Sequence, residues 1–153
     1  IVTFEGFLSP DEARERMAGA EVYVMTSNKL EGWGSVIYEA LNAGCAVVAS
    51  SAAGATPWLV RPKETGEVFE SGKVRDLADK LRSVITDDKL RYDLGRRAYE
   101  QMSGLWNPNV AAERVIELYE AILKGEDTPF ADGPLSKAGI IKNNWFREQI
   151  HER

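Results

Sequence analysis

Two apolar runs, Val22-Tyr23-Val24-Met25 and Ala46-Val47-Val48-Ala49, are separated by a turn with two glycines, a helical stretch and Gly44. A strand, a glycine-rich turn, a helix and a second strand make a βαβ unit. Such a unit requires a parallel pair of strands joined by a crossover helix. Ligands of these units gather at the carboxyl ends of the strands and at the helix N-terminus. At that place the chain reads Glu31-Gly32-Trp33-Gly34-Ser35-Val36-Ile37-Tyr38-Glu39, two carboxylates around a glycine turn.

The neighbouring segments extend the pattern. Ile1-Val2-Thr3-Phe4 reads as a first short strand. Ser9-Pro10-Asp11-Glu12 then opens a helix, with Ser9 as cap, Pro10 at the first helical position and Glu12 closing a capping box. That helix ends at Gly19. Ala46–Ser50 is the third strand, Trp58-Leu59-Val60 a short helical turn, and Gly66–Phe69 the fourth strand.

From there the chain is helical. One stripe is Val74, Leu77, Ala78, Leu81, Val84 and Ile85; a second helix, from Asp88 to Met102, carries Leu90, Leu94 and Ala98. A third opens at Asn107-Pro108 and carries Val110, Val115, Leu118, Tyr119 and Ile122. The fold class is α/β: a Rossmann-like, three-layer domain with a parallel sheet of about four strands and a helical C-terminal region.

The turn- and acid-rich stretch 125–135 reads as a linker, and 136–153 as a tail forming one more helix around Ile141, Trp145 and Phe146. The chain starts at Ile1 inside a strand-like run, and open nucleotide-binding sheets usually have five or six strands. Both features read as a piece of a longer protein.

Composition narrows the class of partner. The net charge of −5 over 153 residues argues against nucleic acid. No apolar run approaches the roughly 20 residues of a spanning helix. The single cysteine, Cys45, permits no internal disulfide, so a reducing, cytoplasmic setting is the default. Cys45 itself reads as a small core residue. His151 is the only histidine, and no metal-ligand cluster is visible.

The chemistry at the glycine turn follows from the residue types. The start of the helix offers free N–H groups. Gly32 and Gly34 leave room for a phosphate, and Glu39 lies one turn beyond Ser35 on the same face. Two carboxylates repel a bare phosphate. They suit a ligand with diols flanking a diphosphate, because a carboxylate accepts two hydrogen bonds from a diol. Phosphate with diols describes a nucleotide sugar. Surface charges beside a plain turn fit the spacing as well. A dinucleotide-dependent oxidoreductase does not fit, since Ile37 follows Gly32-x-Gly34 where a third glycine is needed.

The run Glu31-Gly32-Trp33-Gly34…Glu39-Ala40-Leu41…Gly44 resembles the signature of the group 1 glycosyltransferases of GT-B fold. The resemblance includes Phe4-Glu5-Gly6-Phe7-Leu8, Ala20–Val24, Val47–Ser50, Gly54, Pro57 and Gly66, and covers residues 2–124. It implies that residues 1–124 are part of the C-terminal, nucleotide-sugar-binding domain of an enzyme that transfers a sugar to a polysaccharide or lipid-linked glycan. By that resemblance Glu31 is the catalytic candidate and contacts the donor sugar. The backbone of Gly32, Trp33 and Gly34 faces the sugar and diphosphate. Ser35 and Val36 lie near the diphosphate, and Glu39 binds the ribose.

Retention of configuration, no cofactor and no metal are further implications of the resemblance. So are the basic pair that clamps the diphosphate and an acceptor-binding N-terminal domain, both expected outside this sequence. The interval from Ser27 to Glu31 is one residue longer than the common pattern. Ala55 and Trp58 replace a glycine and a glutamate of the family loop; Trp58 then reads as core or cleft lining. Lys137, Lys142, Arg147 and Arg153, against Glu148 and Glu152, give the tail a basic excess beside Trp145 and Phe146. Such a helix docks on the N-terminal domain or lies peripherally at the inner face of a membrane. The competing reading is a non-catalytic nucleotide- or partner-binding module of the same fold.

Overall fold

The computed structural model describes residues 2–142 and 144–148. The elements are α1 (Pro10–Ala18), β1 (Val22–Met25), α2 (Val36–Asn42), β2 (Ala46–Ser50) and α3 (Thr56–Leu59). They continue with β3 (Gly66–Phe69), α4 (Val74–Thr86), α5 (Asp88–Gly104), α6 (Pro108–Leu123) and α7 (Trp145–Glu148). The strands form one parallel sheet in the order β1-β2-β3. Val22 is opposite Ala46, and Val47 is opposite Gly66.

β2 is the central strand and is buried along its length. Its side chains alternate. Val47 and Ala49 join Ile37, Leu41, Leu59 and Met102 in one core. Ala46 and Val48 join Phe69, Val84 and Leu94 in the other, which Leu77, Leu81 and Leu90 complete. An apolar run with both faces covered is what a parallel strand requires. Local chemistry sets the helix starts. Ser9 and Glu12 form the capping box at α1, and Asn107 Oδ1 accepts from the N–H groups of Asn109 and Val110 ahead of α6.

Four sequence expectations change. Residues 2–4 form no strand: they lie in no sheet, and Val2 and Phe4 are 80% and 94% exposed. A β-run needs a partner ladder, and none lies beside this one among the described residues. The sheet accordingly has three strands there rather than four. The α6 stripe is a helical face but does not point inward. Ala121 is the buried residue of α6, while Val115, Tyr119 and Ile122 are exposed. In α4, Val74 and Ile85 are exposed as well.

In the tail, 136–142 is not helical and Ile140 is fully exposed; within the described residues the helix is confined to α7. Trp145 and Phe146 pack against the domain's own core, with Phe146 buried and Trp145 half-buried. Their rings meet edge to face at 5.8 Å. The tail residues His151, Glu152 and Arg153 lie outside the described residues. Among those described, no helix is long and apolar enough to cross a membrane.

Candidate functional site

β1 ends at Met25 and α2 begins at Val36, so the ten residues Thr26–Ser35 cross the carboxyl end of the strand. Local bonds shape this loop. Asn28 Oδ1 accepts from the Leu30 N–H at 2.9 Å, and Asn28 O accepts from the Glu31 N–H at 3.0 Å. Gly34 has φ +80° and is buried. A Cβ there would stand 3.3 Å from Met25 Cε and 3.4 Å from Glu31 Cγ. The position therefore needs glycine for its backbone as well as for space.

A second loop, Ser51–Ala55, backs the first. A Cβ on Gly54 would stand 2.0 Å from Gly32 O, and the Ala55 N–H donates to Trp33 O at 2.7 Å. Ala55 is fully buried. This loop thus supports the motif through its backbone, and the family's second glycine is replaced here by a core alanine. Trp58 is half-buried against the core.

The predicted site residues come together around the start of α2. Glu31 and Val36 are half-buried, Gly34 is buried, and Gly32, Ser35 and Glu39 are exposed; Trp33 is 48% exposed. None of the N–H groups of Gly32, Trp33, Gly34 and Ser35 donates to a backbone carbonyl among the described residues. Ser35 stands at the cap of α2 without a side-chain capping bond, so its hydroxyl is not spent there. On β1, burial pushes the Tyr23 phenol up, with further contributions from the charges of Glu39 and then Glu31. Four donors and two carboxylates around one helix start can hold an anion flanked by hydroxyls.

Three contacts support the motif. Ser27 Oγ lies 3.5 Å from Glu31 Oε2, Tyr38 donates its hydroxyl to Trp106 O at 2.8 Å and so fixes α2, and Gly54 meets Gly32. Gly54 had a signal, its match to the family loop. Ser27 and Tyr38 had none beyond being polar beside the motif. Beyond the Gly32–Gly54 contact opens a cleft of about 740 Å³ between Lys29 and Leu30, the Ser51–Gly54 loop and Trp145 of α7. Glu31 and Glu39 do not line it. Among the described residues, no three His, Cys, Asp or Glu side chains gather as metal ligands.

The family model described as glycosyl transferases group 1 matches residues 1–101. The chain belongs to the group 1 glycosyltransferases. Sulfoquinovosyl transferase SQD2 of Arabidopsis thaliana is 36% identical over 100 residues, covering 64% of this chain and 19% of that protein. A GDP-mannose-dependent phosphatidylinositol monomannoside mannosyltransferase of Mycobacterium tuberculosis is 29% identical over 132 residues, 82% of this chain and 33% of that one. The chain therefore spans between a fifth and a third of the length of these relatives.

Among solved structures, the C-terminal domain of a group 1 glycosyl transferase from Francisella tularensis superposes with TM-score 0.62 at 32% identity. The match covers 67% of this chain and 52% of that one. Anabaena HepE in complex with UDP and glucose gives TM-score 0.66 at 26% identity, over 78% of this chain and 32% of that one. The three-stranded parallel sheet with helices on both faces agrees with membership of this α/β family.

Proposed function

We propose that this glycosyltransferase chain forms the donor-side wall of an enzyme that moves a sugar from a nucleotide diphosphate to a polysaccharide or lipid-linked glycan. One observation carries the reading: Glu31 and Glu39 flank the unspent N–H groups of Gly32–Ser35 at the start of α2. Glu39 accepts from the ribose hydroxyls and Glu31 from those of the donor sugar. The backbone of Gly32, Trp33 and Gly34 faces the sugar and diphosphate, and Ser35 and Val36 lie beside the diphosphate.

In the transfer, the bond from the anomeric carbon to the diphosphate oxygen breaks, and its electron pair leaves with the diphosphate. A bond from the anomeric carbon to the acceptor oxygen forms, and the proton of the acceptor hydroxyl passes to the departing diphosphate oxygen. Charge grows on the departing diphosphate, where fixed N–H donors are worth most. The reaction retains configuration and uses neither a resident cofactor nor a divalent metal. The upstream half of the same donor-binding domain supplies the opposing cations, and a second, N-terminal domain supplies the acceptor site. With lipid-linked acceptors the enzyme works at the cytoplasmic face of a membrane. The HepE complexes with UDP and UDP-glucose, and the GDP-mannose dependence in the mycobacterial relative's name, support a nucleotide-sugar donor.

Calorimetric titration of the chain with UDP, UDP-glucose, GDP and GDP-mannose, each in the presence of EDTA, tests this. Saturable binding of at least one nucleotide and its sugar is expected. Binding of none, or binding that EDTA abolishes, contradicts the reading.

A further inference from the structure

We infer that Ser27 and Asn28 are positioning residues that orient the Glu31 carboxylate toward the donor sugar. The inference rests on the donor-site reading above. The loop ahead of Glu31 is long by one residue, and added loop length leaves an end residue less fixed. Here the extra length is folded away. The Asn28 side chain closes an Asx turn on the Leu30 N–H at 2.9 Å, and the Asn28 carbonyl takes the Glu31 N–H at 3.0 Å. The turn puts Leu30, 85% exposed, at the outer tip and brings Glu31 back toward the sheet.

The returning side chain meets two constraints. Its Cγ passes over Gly34, where a Cβ would stand 3.4 Å away. Its Oε2 comes within 3.5 Å of Ser27 Oγ. Ser27 continues a row along one face of the β1 strand line. The Tyr23 hydroxyl lies 3.9 Å from Met25 Sδ, and Ser27 Oγ lies 3.8 Å from the same sulfur. A thioether is a weak acceptor, so the Ser27 proton goes to the carboxylate in preference to the sulfur. The 3.5 Å separation is long for a hydrogen bond; contacts of this kind shorten when ligand binds.

One carboxylate oxygen is thereby assigned to the protein, and Oε1 remains for the sugar hydroxyls. Removing the Ser27 hydroxyl leaves the charge and the loop in place but frees the carboxylate to rotate. The cost should fall on the sugar and spare the diphosphate. The row of hydroxyl, sulfur, hydroxyl and carboxylate is thus a device for sugar recognition built from the strand that ends at the site.

The test compares Kd for a nucleoside diphosphate with Kd for its sugar, using UDP with UDP-glucose and GDP with GDP-mannose on the full chain. The readout is the ratio of the two constants in wild type, Ser27→Ala, Ser27→Thr, Asn28→Ala and Asn28→Asp. Ser27→Ala and Asn28→Ala should each lower the ratio about fivefold, the worth of one lost hydrogen bond. Ser27→Thr and Asn28→Asp, which keep the donor and the acceptor, should stay within about twofold of wild type. The diphosphate constant should hold throughout. An unchanged ratio in Ser27→Ala overturns the inference and leaves the donor site standing, as does equal loss of both ligands. Should Ser27→Ala not fold, the Asn28 pair decides by the same ratio. A wild-type chain that binds none of the four ligands overturns the donor reading, and this inference with it.

Discussion

The two ends of α2 are anchored in the same way and left in different chemical states. At its start, Gly54 sits so close to Gly32 O that a Cβ would stand 2.0 Å away; at its end, Gly95 of α5 meets Gly44 O, with 2.1 Å for the same construction. Each contact lets one backbone press against another where any side chain would intrude. Beside Gly44 the Arg91 guanidinium is spent. Arg91 pairs with Glu21 at 3.0 Å and Asp88 at 2.7 Å, and donates to the carbonyls of Val84 and Ile85. Around Gly32 the N–H groups of the loop are not spent on the backbone, and two carboxylates stand beside them. Close packing therefore does not mark a site. Packing that holds unused donors in place does.

Substituting the two glycines is the strongest way to break this comparison. Gly54→Ala should cost about 3 kcal/mol in denaturant unfolding by overpacking. It should also weaken donor binding by more than about tenfold, because the backbone it displaces is the motif itself. Gly95→Ala should cost a similar stability, about 3 kcal/mol, while the molecules that remain folded bind donor within about twofold of wild type. Equal loss of binding in both variants would dissolve the distinction between the ends.

A smaller effect belongs to the sheet between them. Glu67 on β3 is 5% exposed, and Lys80 of α4 holds it at 2.7 Å. Lys80→Met should lower stability by about 2 kcal/mol, since it leaves a buried carboxylate unpaired. Donor affinity should not change. The mildest probe is chemical. Cys45 lies beside Gly44, and its Sγ is 3.3 Å from Met17 O and from Ala20 O. Burial pushes its thiol up from the ordinary range. Ellman's reagent should label it only as fast as the chain unfolds; prompt stoichiometric labelling of folded protein would show that this end of α2 is open.

Much of the fold was legible in local chemistry. Val22–Met25 and Ala46–Ser50 are strands because each is an almost wholly apolar run bounded by turn residues, and Gly66–Phe69 ends on the β-favouring Val68 and Phe69. Ser9-Pro10-Asp11-Glu12 and Asn107-Pro108 are helix starts because the cap and the proline are adjacent. What depends on distant partners was not legible. Phe4 carries strand propensity but has no neighbouring ladder among the described residues. The stripe of Val115, Tyr119 and Ile122 has the helical period, and the period alone does not say which face is covered. Trp145 and Phe146 look like an exposed aromatic pair until α7 is seen lying on the core, with Trp145 Nε1 3.4 Å from Ser51 O. The site divides likewise. Glu31 to Glu39 is one continuous stretch and shows its spacing directly. Its support by Gly54 and Tyr38 comes from elements far along the chain, and the turn at Asn28 depends on a side chain closing on its own backbone.

The central claim is that the two carboxylates at the start of α2 do separate work on one ligand. Its most direct test is titration of Glu31→Ala and Glu39→Ala chains with a nucleoside diphosphate and with its sugar. Glu39→Ala should weaken both ligands about tenfold or more, because the ribose is common to them. Glu31→Ala should weaken only the sugar-bearing ligand and leave the diphosphate within about twofold. Identical losses in the two variants, or no loss in either, would contradict the account.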